Sequence, residues 1–447
     1  MESGSGGWGL SRQQREPEIG EIVDTLMDGR GVARPPGKTV FVDGALTGET
    51  VRFVRRRRKR SFDEADLLEV LEPSPRRVEP RCAVFGVCGG CSLQHLDAAE
   101  QLSMKQAALL DNLQRIGSVQ PQRILEPIGG AAWGYRRKAR LAVKHVTKKG
   151  RVLVGFRERN KPYVTNMSRC ETLHPALGER LEDLASLIDG LSIRDRVPQI
   201  EAAVGDDDVA MIFRVLDPPS GADLAALSDF GDRHGIQILL QPKGPDSIVA
   251  LPGAESRPLS YSIPGFDISI EFTPIDFIQV HAEVNGKMIG RAVELLAPDH
   301  TTRVLDLFSG LGNFSLPIAT RAREVVGVEL ASDMVARAAA NAARNGIENV
   351  AFRRADLSEP GAADAPEWRD FDLVMLDPPR TGAFEVMDVL DRIGAPRIMY
   401  VSCHPGTLAR DAGHLVRELG YEFEAAGVMD MFPQTGHVES MALFRRT

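Results

Sequence analysis

The sequence predicts a multidomain α/β protein: a doubly wound parallel sheet in the C-terminal part, preceded by a small β-barrel and an α+β domain. Three observations predict it. From Phe272 onward, short apolar runs at 304–308, 324–329, 350–353, 373–376 and 397–402 are separated by helical stretches such as 332–345 and 407–419. That alternation is the pattern of parallel strands joined by crossover helices. Between 17 and 73, short β-type runs are punctuated by tight-turn pairs, as in a small barrel. Between these parts, residues 133–270 mix strands with a helix near 175–189.

Taken in order, residues 1–15 are Gly/Ser-rich and polar and are expected to be a disordered tail. The barrel strands are expected at 19–24, 38–42, 49–55 and 65–71, broken by Asp28-Gly29, Pro35-Pro36-Gly37, Asp43-Gly44 and Thr47-Gly48. Pro73-Ser74-Pro75 reads as a linker. Residues 97–116 have helical spacing, with Leu102, Ala108, Leu109, Leu113 and Ile116 on one side and Gly117 as the stop. Strands follow at 139–145, 152–156, 209–215 and 236–241. After the regular α/β pattern, 421–428 and 438–444 come without helical interruption, which predicts an antiparallel edge.

Composition bounds the function. A chain of 447 residues accommodates about two to four domains. No apolar run is long enough to cross a bilayer, and the Gly- and charge-rich start is no signal peptide, so a cytoplasmic protein is expected. In that compartment the five Cys serve metal binding, redox or nucleophilic chemistry rather than disulfides. The net charge of −8 argues against a polyanionic partner only if charge is evenly spread. It is not: seven of the nine residues 52–60 are basic, and residues 136–161 hold eleven Lys/Arg against the single acid Glu158. Such local fields attract nucleic acid whatever the total charge.

The chemistry-bearing residues fall at strand ends. The run 397–402 delivers Cys403 to the carboxyl end of a strand, in front of a helix start. Reactions sit at that edge of open α/β sheets, and a helix N-terminus favours a thiolate. Asp306-Leu-Phe-Ser-Gly-Leu-Gly-Asn313 follows the first strand, and its glycines permit close backbone approach to a ligand. The third glycine of the dinucleotide fingerprint is missing. Glu329 ends the second strand, where an acid grips ribose hydroxyls, and Asp356 follows the third, where an adenine edge would lie. This describes a nucleoside site without a pyrophosphate cradle, which fits S-adenosylmethionine better than NAD. Asp377-Pro-Pro-Arg380 ends the fourth strand in a rigid turn that aims a carboxylate at the site. A thiol, Cys403, and a carboxylate, Glu439, beside a methyl donor fit methylation of carbon-5 of uracil. Thiolate addition at carbon-6 makes the ring nucleophilic, and a base then removes the carbon-5 proton. Cys82, Cys88 and Cys91, with the distant Cys170, make a four-thiol set that suits zinc or an iron–sulfur cluster, and the three-plus-one spacing favours 4Fe-4S.

With these motifs in place, the chain resembles the RNA 5-methyluridine methyltransferases, and most of all the bacterial 23S ribosomal RNA type with an N-terminal TRAM domain and a 4Fe-4S cluster. The resemblance runs from about Pro17 to the C-terminus. It is carried by the cysteine spacing, Phe277-Ile-Gln-Val, the 306–313 loop, Asp377-Pro-Pro-Arg, Tyr400-Val-Ser-Cys and His437-Val-Glu. It implies a Rossmann-like class I S-adenosylmethionine-dependent methyltransferase domain with a TRAM/OB-like barrel and a central α+β iron–sulfur domain. It implies Cys403 as nucleophile and Glu439 as base, and cofactor contacts from Gln279, Phe308, Asn313, Glu329, Asp356 and Asp377. It also implies cluster ligation by Cys82, Cys88, Cys91 and Cys170, with the cluster structural or shaping an RNA surface. The domains expected are 16–73, then 75–95 with 126–270, then 96–125 with 271–447, in a monomer that acts on 23S rRNA. Three positions depart from the family pattern: His281 replaces a usual Asn, Ser309 a frequent Cys, and Asp356 stands where Asn also occurs. Uridine methylation at another rRNA site or in tRNA is the nearest alternative. An N-methyltransferase using the Asp377 loop needs neither Cys403 nor Glu439, and a pure RNA-binding factor would not need Gln279, Glu329 and Asp377.

Overall fold

The computed structural model describes residues 16–357, 359 and 369–446, so the tail expected at 1–15 lies outside the described residues. The chain divides into two compact units, one reaching to Glu79 and including His95–Asp97, the other formed by Pro80–Gln94 and Ala98–Thr447.

The first unit is a closed barrel of five strands, β1 (Glu18–Thr25), β2 (Arg30–Ala33), β3 (Thr39–Asp43), β4 (Thr50–Arg58) and β5 (Phe62–Glu72), in the order β1-β2-β3-β5-β4. Alternate residues point inward, so Ile22, Val40, Val42, Val51, Phe53 and Ala65 fill the core. β2 is not among the expected strands, because its Arg-Gly-Val-Ala is too short to show alternation. The arginine run lies on β4 and just after it, and much of it is neutralised within the unit. Arg55 pairs with Glu18 and Asp63, Arg56 with Asp43 and Asp66, Arg52 with Glu69 and Lys59 with Glu64. Arg57, Arg58 and Arg60 are exposed.

In the second unit, α1 (Ala98–Asn112) runs into a π-helical turn at Leu113–Gly117, and β6 (Arg123–Ile124) follows. The buried face of α1 is Gln101, Lys105 and Leu109, continued by Leu113, while Ile116 is exposed. The apolar stripe read from the sequence is therefore rotated: two polar residues occupy the buried line, and no hydropathy pattern selects them.

The next sheet holds β7 (Lys138–Val146), β8 (Arg151–Gly155), β9 (Gln199–Val204), β10 (Val209–Arg214), β11 (Ile236–Gln241) and β12 (Val249–Ala250), in the order β12-β11-β10-β9-β7-β8. Three helices accompany it, α2 (Pro175–Gly178), α3 (Leu181–Gly190) and α4 (Gly221–His234). The single helix expected near 175–189 is two, split at Glu179-Arg180, and β9, β12 and α4 are additions to the expected elements. The basic run 136–161 is also partly paired, through Arg137–Asp206, Arg140–Glu201 and Arg151–Glu182.

A hairpin of β13 (Leu259–Ile263) and β14 (Ile268–Phe272) leads to α5 (Ala282–Leu296) and the largest sheet. Its elements are β15 (Arg303–Leu307), α6 (Ser315–Ala319), β16 (Glu324–Glu329), α7 (Ser332–Arg344), β17 (Val350–Arg354), β18 (Leu373–Leu376), α8 (Met387–Ile393), β19 (Arg397–Ser402), α9 (Pro405–Arg417), β20 (Glu422–Met429) and β21 (Glu439–Arg445). The strand order is β17-β16-β15-β18-β19-β21-β20-β6. The first five strands are mutually parallel, and β21 is antiparallel to both β19 and β20. The antiparallel pairing expected at the end of the chain is present, but β20 is not the edge: β6 pairs with it in parallel and closes that side. Every residue of β18 and nearly all of β19 and β21 are buried, as strands covered on both faces must be.

Candidate active site

The carboxyl ends of β15, β16, β17, β18 and β19 form one edge of the sheet. Because β21 runs the other way, its first residue lies at the same edge. Ser402 pairs with Ser440, so the next step of that register sets Cys403 opposite Glu439. Sheet topology thus brings together residues scattered over more than a hundred positions.

The loop after β15 has an unusual backbone. Phe308 stands at φ 66, and Gly310 and Gly312 at 55 and 91. A left-handed phenylalanine is strained and persists where its surroundings fix it. Here the Ser309 N–H donates to the Val328 carbonyl at 3.0 Å, and the Gly310 N–H to Glu329 Oε2 at 3.2 Å. The other Glu329 oxygen accepts from the N–H groups of Leu330 and Ala331 at 2.8 and 3.0 Å, so this carboxylate ties the loop to the end of β16. Asn313 lies in a buried network: its Oδ1 accepts from Tyr261 and Asn285, and its Nδ2 donates to Asn285 Oδ1 at 3.0 Å. Its side chain shapes the loop and keeps one N–H to offer. Asp356, beyond β17, is half-buried. Gln279 comes from outside the sheet, on the half-buried segment entering α5, which Asp276 fastens to Arg337 of α7 at 2.7 Å.

Three carboxyls at this edge are raised above the usual carboxylate range. Burial pushes Asp306 up to about 7, helped by Asp377 and Glu329, and Ser315 donates to its Oδ2. Its Oδ1 is buried without a partner. Burial alone puts Asp377 at about 7. Burial and the neighbouring Asp377 push Glu439 to about 8, against the opposing pull of Arg380 and Lys105. The half-buried Cys403 thiol is raised by burial, Glu439 and Asp377, and Arg380 draws it back. A cation seated among these groups would be favoured, since it removes their mutual repulsion.

Several residues that hold this geometry carry no motif. Tyr400 and the Ala383 N–H both donate to buried Asp411, at 2.7 and 2.8 Å, and so fix the turn that bears Asp377 and Arg380. Arg380 meets His437 Nδ1 at 3.4 Å. His281 is 2 % exposed and does the work of an N-cap: its Nδ1 accepts from the Val284 N–H, its Nε2 meets the Ala131 carbonyl at 3.0 Å, and its ring stacks on Tyr135. The Asn-to-His departure therefore keeps a capping side chain at this position.

The four thiols of Cys82, Cys88, Cys91 and Cys170 are free and line one cavity, with Phe85, Phe156 and Met167 as apolar wall. The Gly90 N–H donates to Cys88 Sγ at 3.4 Å. Burial pushes the Cys91 thiol up to about 12, and the other three sulfurs add to it. Among the described residues no three His, Cys, Asp or Glu side chains are grouped to hold a single metal ion. The donor set, four soft sulfurs with the Gly90 N–H directed at one of them, suits a larger thiophilic group.

The sheet order and the glycine loop define a Rossmann-like domain with a nucleoside-type site at its carboxyl edge. A family model described as tRNA (Uracil-5-)-methyltransferase matches residues 260–447. A 23S rRNA (uracil(1939)-C(5))-methyltransferase RlmD of Alkalilimnicola ehrlichii is 53% identical over 97% of this chain and 98% of its own. The protein of the same description from Methylococcus capsulatus is 48% identical over 96% of this chain and 97% of its own. The crystal structure of a Pyrococcus abyssi tRNA (uracil-54, C5)-methyltransferase shares the fold, with a TM-score of 0.73 over 95% of this chain and 99% of that chain at 24% identity. The chain belongs to the RNA uracil-5-methyltransferase family.

Proposed function

We propose that this protein methylates carbon-5 of a uridine in 23S rRNA through a covalent enzyme–RNA adduct, with Cys403 as nucleophile and Glu439 as base. The observation that carries the reading is the β19–β21 register, which sets Cys403 against Glu439 with Asp377 and Arg380 in electrostatic reach of both. S-adenosylmethionine supplies a sulfonium-bound methyl group. Phe308, Asn313, Glu329, Asp356, Asp377 and Gln279 are the residues that would hold it, and the unpartnered Asp306 Oδ1 is a buried acceptor at the same loop. Relatives about half identical over nearly the whole chain support ribosomal rather than transfer RNA.

Cys403 as thiolate, which Arg380 favours against burial, Glu439 and Asp377, adds to carbon-6 and leaves an enolate whose carbon-5 takes the methyl group. Glu439 then accepts the carbon-5 proton, the ring double bond re-forms and the thiolate leaves. A ring stacked in a helix cannot be reached at carbon-6, so the target is unpaired or flipped out. The domains read from the sequence divide this work. The barrel of 16–73, a TRAM-like module, and the basic stretch 136–161 of the central domain (75–95 with 126–270) hold phosphates around the target. The parts at 96–125 and 271–447 carry the chemistry. Cys82, Cys88, Cys91 and Cys170 would hold a 4Fe-4S cluster in a structural role. No helix among the described residues is long and apolar enough to cross a membrane, and we take the enzyme to be a cytoplasmic monomer.

The test is to map 5-methyluridine in RNA from a strain lacking this protein. Loss of one 23S rRNA site, restored by the wild-type chain and not by Cys403→Ala, is expected. A lost methyl on nitrogen or oxygen overturns the reading. For the cluster, anaerobically purified protein is expected to be brown with iron and sulfide bound. A colourless protein with stoichiometric zinc contradicts it.

A further inference from the structure

Residues 430–438, between β20 and β21, lead the chain into Glu439. They carry no regular secondary structure, and Gln434 stands in the left-handed region at φ 69. The shape of this loop is imposed from outside. Lys105 Nζ donates to Asp430 Oδ1 at 2.6 Å and to the Phe432 carbonyl at 3.0 Å. Tyr135 donates to the Pro433 carbonyl at 2.9 Å. The Ser92 and Leu93 N–H groups donate to the Gln434 carbonyl at 2.9 and 3.1 Å. Gln101 closes the set reciprocally, accepting from the Gln434 N–H and donating to Gln434 Oε1, each at 3.0 Å. Three successive carbonyls are thus bound by donors from three separate segments.

Gln101 and Lys105 lie one helical turn apart on α1, and they are 1 % and 0 % exposed. A buried Lys–Asp pair adds little stability over apolar side chains of the same volume, and the best-attested use of such a pair is to fix register. Met429, the residue before Asp430, is the β20 partner of Glu439, so a pull on Asp430 acts next to the carboxylate.

We propose that Gln101 and Lys105 are positioning residues for Glu439, clamping the 430–438 loop so that its carboxylate meets the carbon-5 proton. The inference rests on the reading of Glu439 as the base. In the step concerned the carbon-5–hydrogen bond breaks and the proton passes to Glu439. The bonding pair forms the carbon-5–carbon-6 double bond, the carbon-6–sulfur bond breaks, and its electron pair returns to Cys403. Cys403 and Asp377 are delivered by β19 and β18 and do not hang on this loop. Loosening the clamp therefore slows release of the adduct while thiol addition and methyl transfer continue. The Lys105 ammonium also draws the Glu439 carboxyl down against the push of Asp377.

The experiment compares wild type, Glu439→Gln, the double variant Lys105→Met with Asp430→Asn, which leaves no buried charge unpaired, and Gln101→Met. Each is mixed with methyl-labelled S-adenosylmethionine and unmodified 23S rRNA. Label in protein-linked RNA and in free RNA is then followed on denaturing gels. Glu439→Gln is expected to accumulate labelled adduct. The clamp variants are expected to form adduct at the wild-type rate and release product about 100-fold more slowly, the cost of a small misplacement of a reacting group. Release at the wild-type rate overturns the clamp and leaves the base standing. So does a proportional loss of adduct formation and release, which marks Gln101 and Lys105 as merely structural. Wild-type release by Glu439→Gln itself removes the base reading, and the clamp with it. Should the double variant fail to fold, Gln101→Met, nearly isosteric, carries the same comparison.

Discussion

Glu439 combines a buried position with a neighbouring acid, and its carboxyl is pushed up to about 8 by burial and then Asp377. A base must be ionised to act, so release of the adduct is expected to accelerate with pH up to about 8 and level off above it, read from single-turnover rates. A flat profile from pH 6 to 9 would contradict that assignment. The same shifts predict the direction of stability. Glu439, Asp306 and Asp377 bind protons more tightly folded than unfolded, so their contribution is full below the ordinary carboxylate range and is lost as pH rises through about 7 to 8. The ligand-free protein should melt lower at pH 9 than at pH 6 by differential scanning fluorimetry. A sulfonium cation beside these groups should expel protons. Calorimetry in buffers of different ionisation heat at pH 7 should show more proton release with S-adenosylmethionine than with S-adenosylhomocysteine, which lacks the sulfonium charge. The placement of Cys403 and the acids at strand ends, and of Glu439 at a strand start, was legible in the sequence because a polar residue bounding an apolar run is a readable juxtaposition. Lys105, Gln101 and Asp411 were not, because the first two are buried against partners hundreds of residues away and Asp411 against a strand residue and a turn N–H.

Among elements, the parallel strands were legible from their continuous apolar runs, whereas β2 and β9 lacked the length or the isolation to stand out. The helix α1 shows where periodicity falls short: its buried line joins Gln101 and Lys105 to the expected Leu109 and Leu113, and hydropathy finds only the apolar half of it. The turn 377–383 is the element most exposed to a single change. Gly382 stands at φ 82, and a Cβ there would lie 2.6 Å from Asp411 Oδ2. Gly382→Ala should cost more than about 1 kcal/mol of stability and, by moving Arg380, raise the thiol pKa of Cys403. A slower reaction of Cys403 with iodoacetamide at neutral pH would register that rise, and unchanged reactivity would contradict it. At the start of α5, His281→Asn should retain the cap, while His281→Leu should lose about 1 kcal/mol in denaturant unfolding.

At the scale of the whole molecule, the net charge of −8 concealed two basic runs, and the runs concealed their own neutralisation. Sequence spacing could not show that Arg55 and Arg56 are committed to carboxylates of their own barrel. The barrel's free charge therefore rests on few residues. Replacing Arg57, Arg58 and Arg60 by Ala in the full chain should weaken RNA binding and flatten its salt dependence, by up to roughly 0.7–0.9 for each phosphate that is no longer neutralised, with S-adenosylmethionine affinity unchanged. An equal fall in cofactor affinity would point to misfolding instead. The proposed chemistry turns on one covalent bond. A 23S rRNA fragment carrying 5-fluorouridine at the target offers no carbon-5 proton for Glu439 to remove, so the adduct should persist. Incubated with the enzyme and S-adenosylmethionine, digested and read by mass spectrometry, it should yield one cross-linked peptide, with the methylated fluorouridine attached at Cys403. A stable complex attached through any other residue, or full methylation of RNA by Cys403→Ala, would contradict the covalent mechanism.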